Sequence, residues 1–147
     1  MAVYEILKTL REQHNLTQEQ LAEQLLVTRQ AVSRWETGET QPNTETLKLL
    51  SRLYDVSINT LLGSPRTLVC QCCGMPLSED GMISREPDGS FNEEYCKWCY
   101  TDGGFTYQSM DALLDFLVRN MPNPEQLPEE QRRAQYSGYL SRLKHWQ

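Results

Sequence analysis

Basic charge is scarce in this chain. Its 14 Lys and Arg are outnumbered by 20 Asp and Glu, giving a formal net charge of −6. That excludes a uniformly cationic coat that grips any nucleic acid by neutralising phosphates. Long apolar runs are absent and mean hydropathy is −0.60, so no membrane span is expected. The first residues, Met1-Ala2-Val3-Tyr4-Glu5, contain no basic stretch leading into an apolar core; no secretory leader is expected, and the expected compartment is the cytoplasm. The two histidines, His14 and His145, have no acid–base partner in sequence and are expected to be ordinary surface residues. G-x-S-x-G, H-E-x-x-H and a phosphate-cradling Gly loop are all missing, so catalysis is not expected.

What is present divides by composition. Residues 1–63 hold no Cys and one Pro, with apolar residues at helical spacing. All five Cys fall between Cys70 and Cys99, in a stretch rich in Gly, Asp and aromatics. Residues 108–147 return to helical periodicity. The expected organisation is a helical domain over 1–63, a linker over 64–68 and a second domain over 69–147, with a ribbon at 69–107 and helices at 108–147. The expected class is mainly α.

Five helices are expected in the first part. Val3, Ile6, Leu7 and Leu10 form one stripe, ending near His14-Asn15. Thr17-x-x-Gln20 is a capping box for a second helix that buries Leu21, Ala22 and Leu25. Thr28 caps a third helix, with Ala31, Val32 and Trp35 inward and Thr37-Gly38 as its stop. A fourth carries Leu47, Leu50 and Leu53, and a fifth starts near Ser57 with Ile58, Leu61 and Leu62. With Ala31, Val32 and Trp35 inward, the third helix points Arg29, Gln30, Ser33 and Arg34 outward. Arg suits guanine, Gln suits adenine and Ser adapts to either.

Gln18 to Glu36 (QEQLAEQLLVTRQAVSRWE) resembles the helix-turn-helix of the Cro/CI-type (XRE, lambda-repressor-like) family. Ala22 matches its small residue between the two helices, Val32 and Trp35 its apolar anchors, and Glu36-Thr37-Gly38 through Gln41-Pro42 its E-x-G-x-x-x-P signature. The resemblance covers residues 3–62. It implies a five-helix DNA-binding fold and sequence-specific binding to double-stranded DNA, with repression the expected sign. It also implies that Gln18 and Thr28, at helix N-termini, face phosphate, with Asn43 a further phosphate contact. The turn position often held by Gly is Leu26 here; if left-handed, Leu costs about 1 kcal/mol or more over Gly. Residues 1–63 carry six basic against eight acidic side chains, net −2. Weak binding to random DNA is therefore expected, with a homodimer reading half-sites roughly 34 Å apart.

Cys70-x-x-Cys73 and Cys96-x-x-Cys99 flank 22 residues, a spacing that supplies four thiolates to one structural zinc ion. Four thiolates leave no open position for catalysis. Cys72 fits neither pair, and is expected to be a half-exposed bystander or an oxidation-sensitive neighbour. Asp88-Gly89-Ser90 is expected to turn a hairpin. Phe91, Tyr95, Trp98, Tyr100, Phe105 and Tyr107 are expected to pack around the metal, since too few basic residues accompany them for a nucleic-acid stacking platform. These segments, with Gly104-Phe105 and the closing Leu140-x-x-Leu143-x-x-Trp146, resemble a zinc-ribbon family of bacterial proteins, from Val69 to the C-terminus.

At the end of the chain, Ser109 caps a helix striped by Met110, Leu113, Leu114, Leu117 and Met121. A second helix from Pro128 places Tyr136, Tyr139, Leu140, Leu143 and Trp146 on one side. An intramolecular core is the expected use of both stripes, with a dimer surface the competing one. The expected function is transcriptional regulation. The competing readings are a protein-interaction module with autoregulatory DNA binding, as in antitoxins, whose partner engages the C-terminal domain, and a zinc- or redox-responsive switch.

Overall fold

The computed structural model describes all 147 residues, Met1–Gln147. Two compact units are present, residues 1–67 with 89–91, and residues 68–88 with 92–147. Seven α-helices and two small antiparallel sheets make the fold mainly α.

The first unit contains α1 (Val3–Gln13), α2 (Gln18–Leu25), α3 (Arg29–Thr37), α4 (Thr44–Tyr54) and the single turn α5 (Ile58–Leu61). The capping box at α2 is complete. Thr17 Oγ1 accepts from the Gln20 N–H at 3.0 Å and Gln20 Oε1 accepts from the Thr17 N–H at 2.9 Å, satisfying two otherwise orphaned donors. Thr28, Asn43 and Ser57 cap α3, α4 and α5 through the same side-chain oxygen geometry. Leu7, Leu21, Leu25, Val32, Trp35, Leu50 and Leu61 form the core. Between α2 and α3, Leu26 takes φ 57° and ψ 41°. The turn is therefore left-handed despite the missing glycine, and the Leu26 side chain is 92% exposed.

The second unit begins with a knuckle at Cys70–Gly74, closed by a bridge between Val69 and Pro76. β1 (Ile83–Arg85) pairs with β2 (Phe91–Cys96), and β3 (Tyr100–Thr101) with β4 (Gly104–Phe105). Gly89, in the expected turn, has φ 89°. β3 and β4 pair Tyr100 with Phe105 and Thr101 with Gly104 across Asp102-Gly103, both at positive φ. That is the two-residue turn whose twist matches a hairpin. α6 (Met110–Asn120) and α7 (Glu129–Leu140) follow, packed on one another. Ser109 caps α6, its Oγ accepting from the Ala112 N–H at 3.2 Å.

Two expectations are corrected here. α7 ends at Leu140, so Leu143 and Trp146 do not extend its stripe; residues Lys144–Trp146 form a 3-10 turn instead. Trp146 donates Nε1–H to the Cys72 carbonyl at 2.7 Å, and Leu140 is buried, so both side chains are used inside the unit. Trp98 lies outside the aromatic cluster, 52% exposed, whereas Tyr95, Tyr100, Phe105 and His145 pack ring to ring, with Phe105 and His145 centroids 4.2 Å apart.

Candidate nucleic-acid interface and metal centre

α3 is held from behind and open in front. Val32 and Trp35 are buried, and Glu36 is buried beside them. Glu36 accepts from Arg11 Nε at 2.7 Å and Nη2 at 2.9 Å, while Arg11 Nη1 donates to the Leu16 carbonyl at 2.7 Å. The Arg11 guanidinium is raised above its ordinary value, chiefly by its hydrogen bond to Glu36. One arginine thus ties α3 to α1 and to the loop before α2. Sequence reading missed this brace, because the partners lie 25 residues apart and Glu36 was legible only as the first letter of the E-x-G-x-x-x-P signature.

On the open side, Arg29 and Gln30 are exposed and bond to no protein group. Arg34 is also exposed, within 3.9 Å of the Glu39 carboxylate at a solvated site, a contact worth little. Ser33 is half-buried on the same helix. Thr28 and Asn43 are spent as caps, their side-chain oxygens accepting at 3.1 Å from Ala31 and 2.9 Å from Thr46. Gln18, at the start of α2, donates to Glu36 Oε1 at 3.3 Å. The expected interface residues therefore fall into two groups, free side chains on α3 and helix-start residues already engaged with protein.

Tyr54 lies behind α3. Its hydroxyl is buried without a hydrogen-bond partner, and burial first, then the Glu36 charge, push it up to about 12.

In the second unit the Sγ atoms of Cys70, Cys73, Cys96 and Cys99 lie within 4.8 Å of one another. The Cys73 and Cys96 sulfurs are 3.9 Å apart. Zn–S bonds of about 2.3 Å in a tetrahedron put sulfurs roughly 3.8 Å apart, so the four fit a tetrahedral metal ion. Backbone N–H groups of Cys72 and Cys73 aim at Cys70 Sγ at 3.4 and 3.5 Å, which disperses thiolate charge. At Gly74, φ is 80° and a Cβ would stand 2.2 Å from the Tyr139 ring, so any side chain there strains the backbone and displaces that ring. Cys72 is fully buried, which corrects the half-exposed bystander; the Trp146 bond to its carbonyl seals it.

A buried arginine completes the unit. Arg132 donates to the carbonyls of Val118 at 2.9 Å, Met121 at 3.0 Å and Pro122 at 3.4 Å. It thereby satisfies the open C-terminal end of α6. Its only sequence signal is an Arg in the first turn of α7, which reads as a solvated charge.

Comparison with known proteins agrees with both units. A helix-turn-helix family model matches residues 7–61, and a zinc ribbon domain model matches residues 69–147. The HTH-type transcriptional regulator YqaE of Bacillus subtilis is 41% identical over 117 residues, 80% of this chain and 90% of its own. The HTH-type transcriptional activator BcrR of Enterococcus faecalis is 53% identical over 62 residues, 42% of this chain, and YobD of B. subtilis 40% over 57 residues, 39% of this chain. The chain spans 30% and 51% of the lengths of those last two relatives. The chain belongs to the helix-turn-helix transcriptional regulators, and its second part to the zinc ribbon domain family. Its first unit is a helix-turn-helix domain, and its second brings together four cysteines whose sulfurs suit a metal ion. No helix is long and apolar enough to cross a membrane.

Proposed function

We propose that this regulator binds a specific operator as a homodimer in the cytoplasm, with α3 in the major groove. Arg29, Gln30, Ser33 and Arg34 read base edges there. Gln18, Thr28 and Asn43 lie against phosphate at the starts of α2, α3 and α4, where backbone N–H groups and the helix dipole favour anions. The observation that carries this reading is the contrast on α3, where Arg29 and Gln30 are unpaired and exposed while Val32, Trp35 and Glu36 are buried and braced. The net −2 of residues 1–63 makes base contacts matter more than counterion release. A dimer is the arrangement that lets two such small interfaces act on one pseudo-palindrome. Repression is the sign we favour. Occluding a promoter needs only the DNA contact, whereas activation needs a further surface for polymerase, and the named activator matches this chain over only 62 residues.

The metal is proposed to be one zinc ion held by Cys70, Cys73, Cys96 and Cys99, with a structural role: four thiolates close its coordination sphere. Domain boundaries at 1–63 and 69–147, joined by 64–68, follow from the same reading. Selection of genomic fragments by the purified protein at near-physiological salt, with and without chelator, tests it. Recovery of one symmetric site supports the proposal, and recovery of random fragments with a steep salt response overturns it.

A further inference from the structure

We infer that the second unit carries a binding site for a lipophilic organic cation, such as a bulky aromatic phosphonium or quaternary ammonium, seated over the cysteine cluster. The juxtaposition that points to it is a concave cavity of about 680 Å³ whose lining combines three cluster cysteines, Cys73, Cys96 and Cys99, with apolar side chains of α6 and α7. Its volume falls in the usual range for small-molecule sites, about 300–1,000 Å³. Trp98, Tyr107, Phe116 and Tyr139 present aromatic rings to it, and Leu113 and Leu117 supply aliphatic wall. Trp98, Phe116, Met121 and Tyr139 leave large apolar surface in water, which an occupant would cover.

Charge selects the occupant. No Arg, Lys, His, Asp or Glu lines the cavity. Its one concentration of charge is the sulfur cluster: with the proposed zinc bound, four thiolates around the dication would leave two net negative charges, so the inference rests on that reading of the cluster. An anion is repelled by that lining. A hydrophobic cation gains from the sulfurs and from the negative faces of the rings. The Lys97 ammonium lies 4.9 Å from the Trp98 ring centroid, a cation–π contact on one rim ring. The cavity lies wholly within the second unit, so the inference stands apart from the DNA reading.

Titration calorimetry on the full-length, zinc-loaded chain tests it, with tetraphenylphosphonium and its anion of like shape, tetraphenylborate, as probes. The expected result is one phosphonium per chain, bound at least about tenfold more tightly than the borate. Two rim variants, Trp98→Ala and Met121→Lys, are expected to weaken phosphonium at least about fivefold while zinc content and far-UV circular dichroism stay unchanged. Equal binding of the two probes, no phosphonium binding at millimolar concentration, or full binding by both rim variants would overturn the proposal. If one rim variant loses zinc, the other decides.

Discussion

Arg11 on α1 and Glu36 on α3 form a two-pronged ion pair, with side chains only 12% and 4% exposed, and this pair fixes the orientation of the helix proposed to read DNA. Truncating one partner of such a pair leaves the other charge desolvated, which costs far more than the intact pair contributes. Arg11→Ala is expected to destabilise the first unit by about 3 kcal/mol or more. Hydrogen exchange of peptides from α1, α2 and α3 reads this directly. Exchange as slow as in the unmodified chain would show that α3 is held by its apolar contacts alone.

Leu26 offers the opposite case. A residue with a Cβ sits in the left-handed region with its side chain in water, so its strain is not repaid by packing. Leu26→Gly is expected to raise stability by about 1 kcal/mol, the left-handed penalty less the backbone entropy of glycine. Urea unfolding followed by far-UV circular dichroism checks the sign.

Tyr54 buries a hydroxyl that meets no partner. Tyr54→Phe is expected to be neutral or to stabilise by up to about 1 kcal/mol. The same site sets an alkaline limit. Burial raises the folded-state hydroxyl to about 12 from the ordinary tyrosine value of about 10, so the unfolded chain loses this proton first and stability falls as pH rises from about 10 to 12. Stability measured across that window is expected to fall less steeply in the Phe variant. Parallel curves for the two proteins would contradict the assignment.

Much of this was legible in sequence where the cause is local. Thr17 and Gln20 are three residues apart and cap one helix, and the Cys pairs announce their own chemistry. The Leu26 departure was visible as the wrong residue type for a left-handed turn. What was not legible depends on distant partners. Glu36 reads only as the first letter of the E-x-G-x-x-x-P signature until Arg11 is placed beside it, and Arg132 as a solvated charge until the carbonyls of Val118 and Met121 converge on it. Cys72 reads as spare until Trp146 closes over its carbonyl. The stripe through Leu143 and Trp146 follows helical spacing, yet tertiary bonds pull those residues out of α7: Lys144 N–H donates to Gln71 Oε1 at 3.1 Å and His145 N–H to the Gln71 carbonyl at 3.1 Å.

The Arg132 clamp gives a further expectation. Arg132→Met keeps the aliphatic stem but abandons three carbonyls at the end of α6, and is expected to cost about 2–3 kcal/mol. Protection of α6 amides from exchange should fall, while α1 to α4 are unaffected.

Zinc stoichiometry separates the five cysteines. Elemental analysis is expected to give one zinc per chain for Cys72→Ser and substoichiometric zinc for Cys96→Ser, since Cys96 belongs to the four-sulfur cluster and Cys72 does not. Loss of zinc in Cys72→Ser together with full zinc in Cys96→Ser would reverse the assignment.

The claim on which the regulator reading turns is that the open face of α3 reads bases, and Arg29→Ala tests it most directly. Fluorescence anisotropy would compare the variant with the unmodified chain on the selected operator and on a scrambled duplex of equal length, at one salt concentration. A loss of about 10- to 100-fold on the operator, with little change on the scrambled duplex and an unchanged melting temperature, is predicted. Equal operator affinity in the two proteins would contradict it.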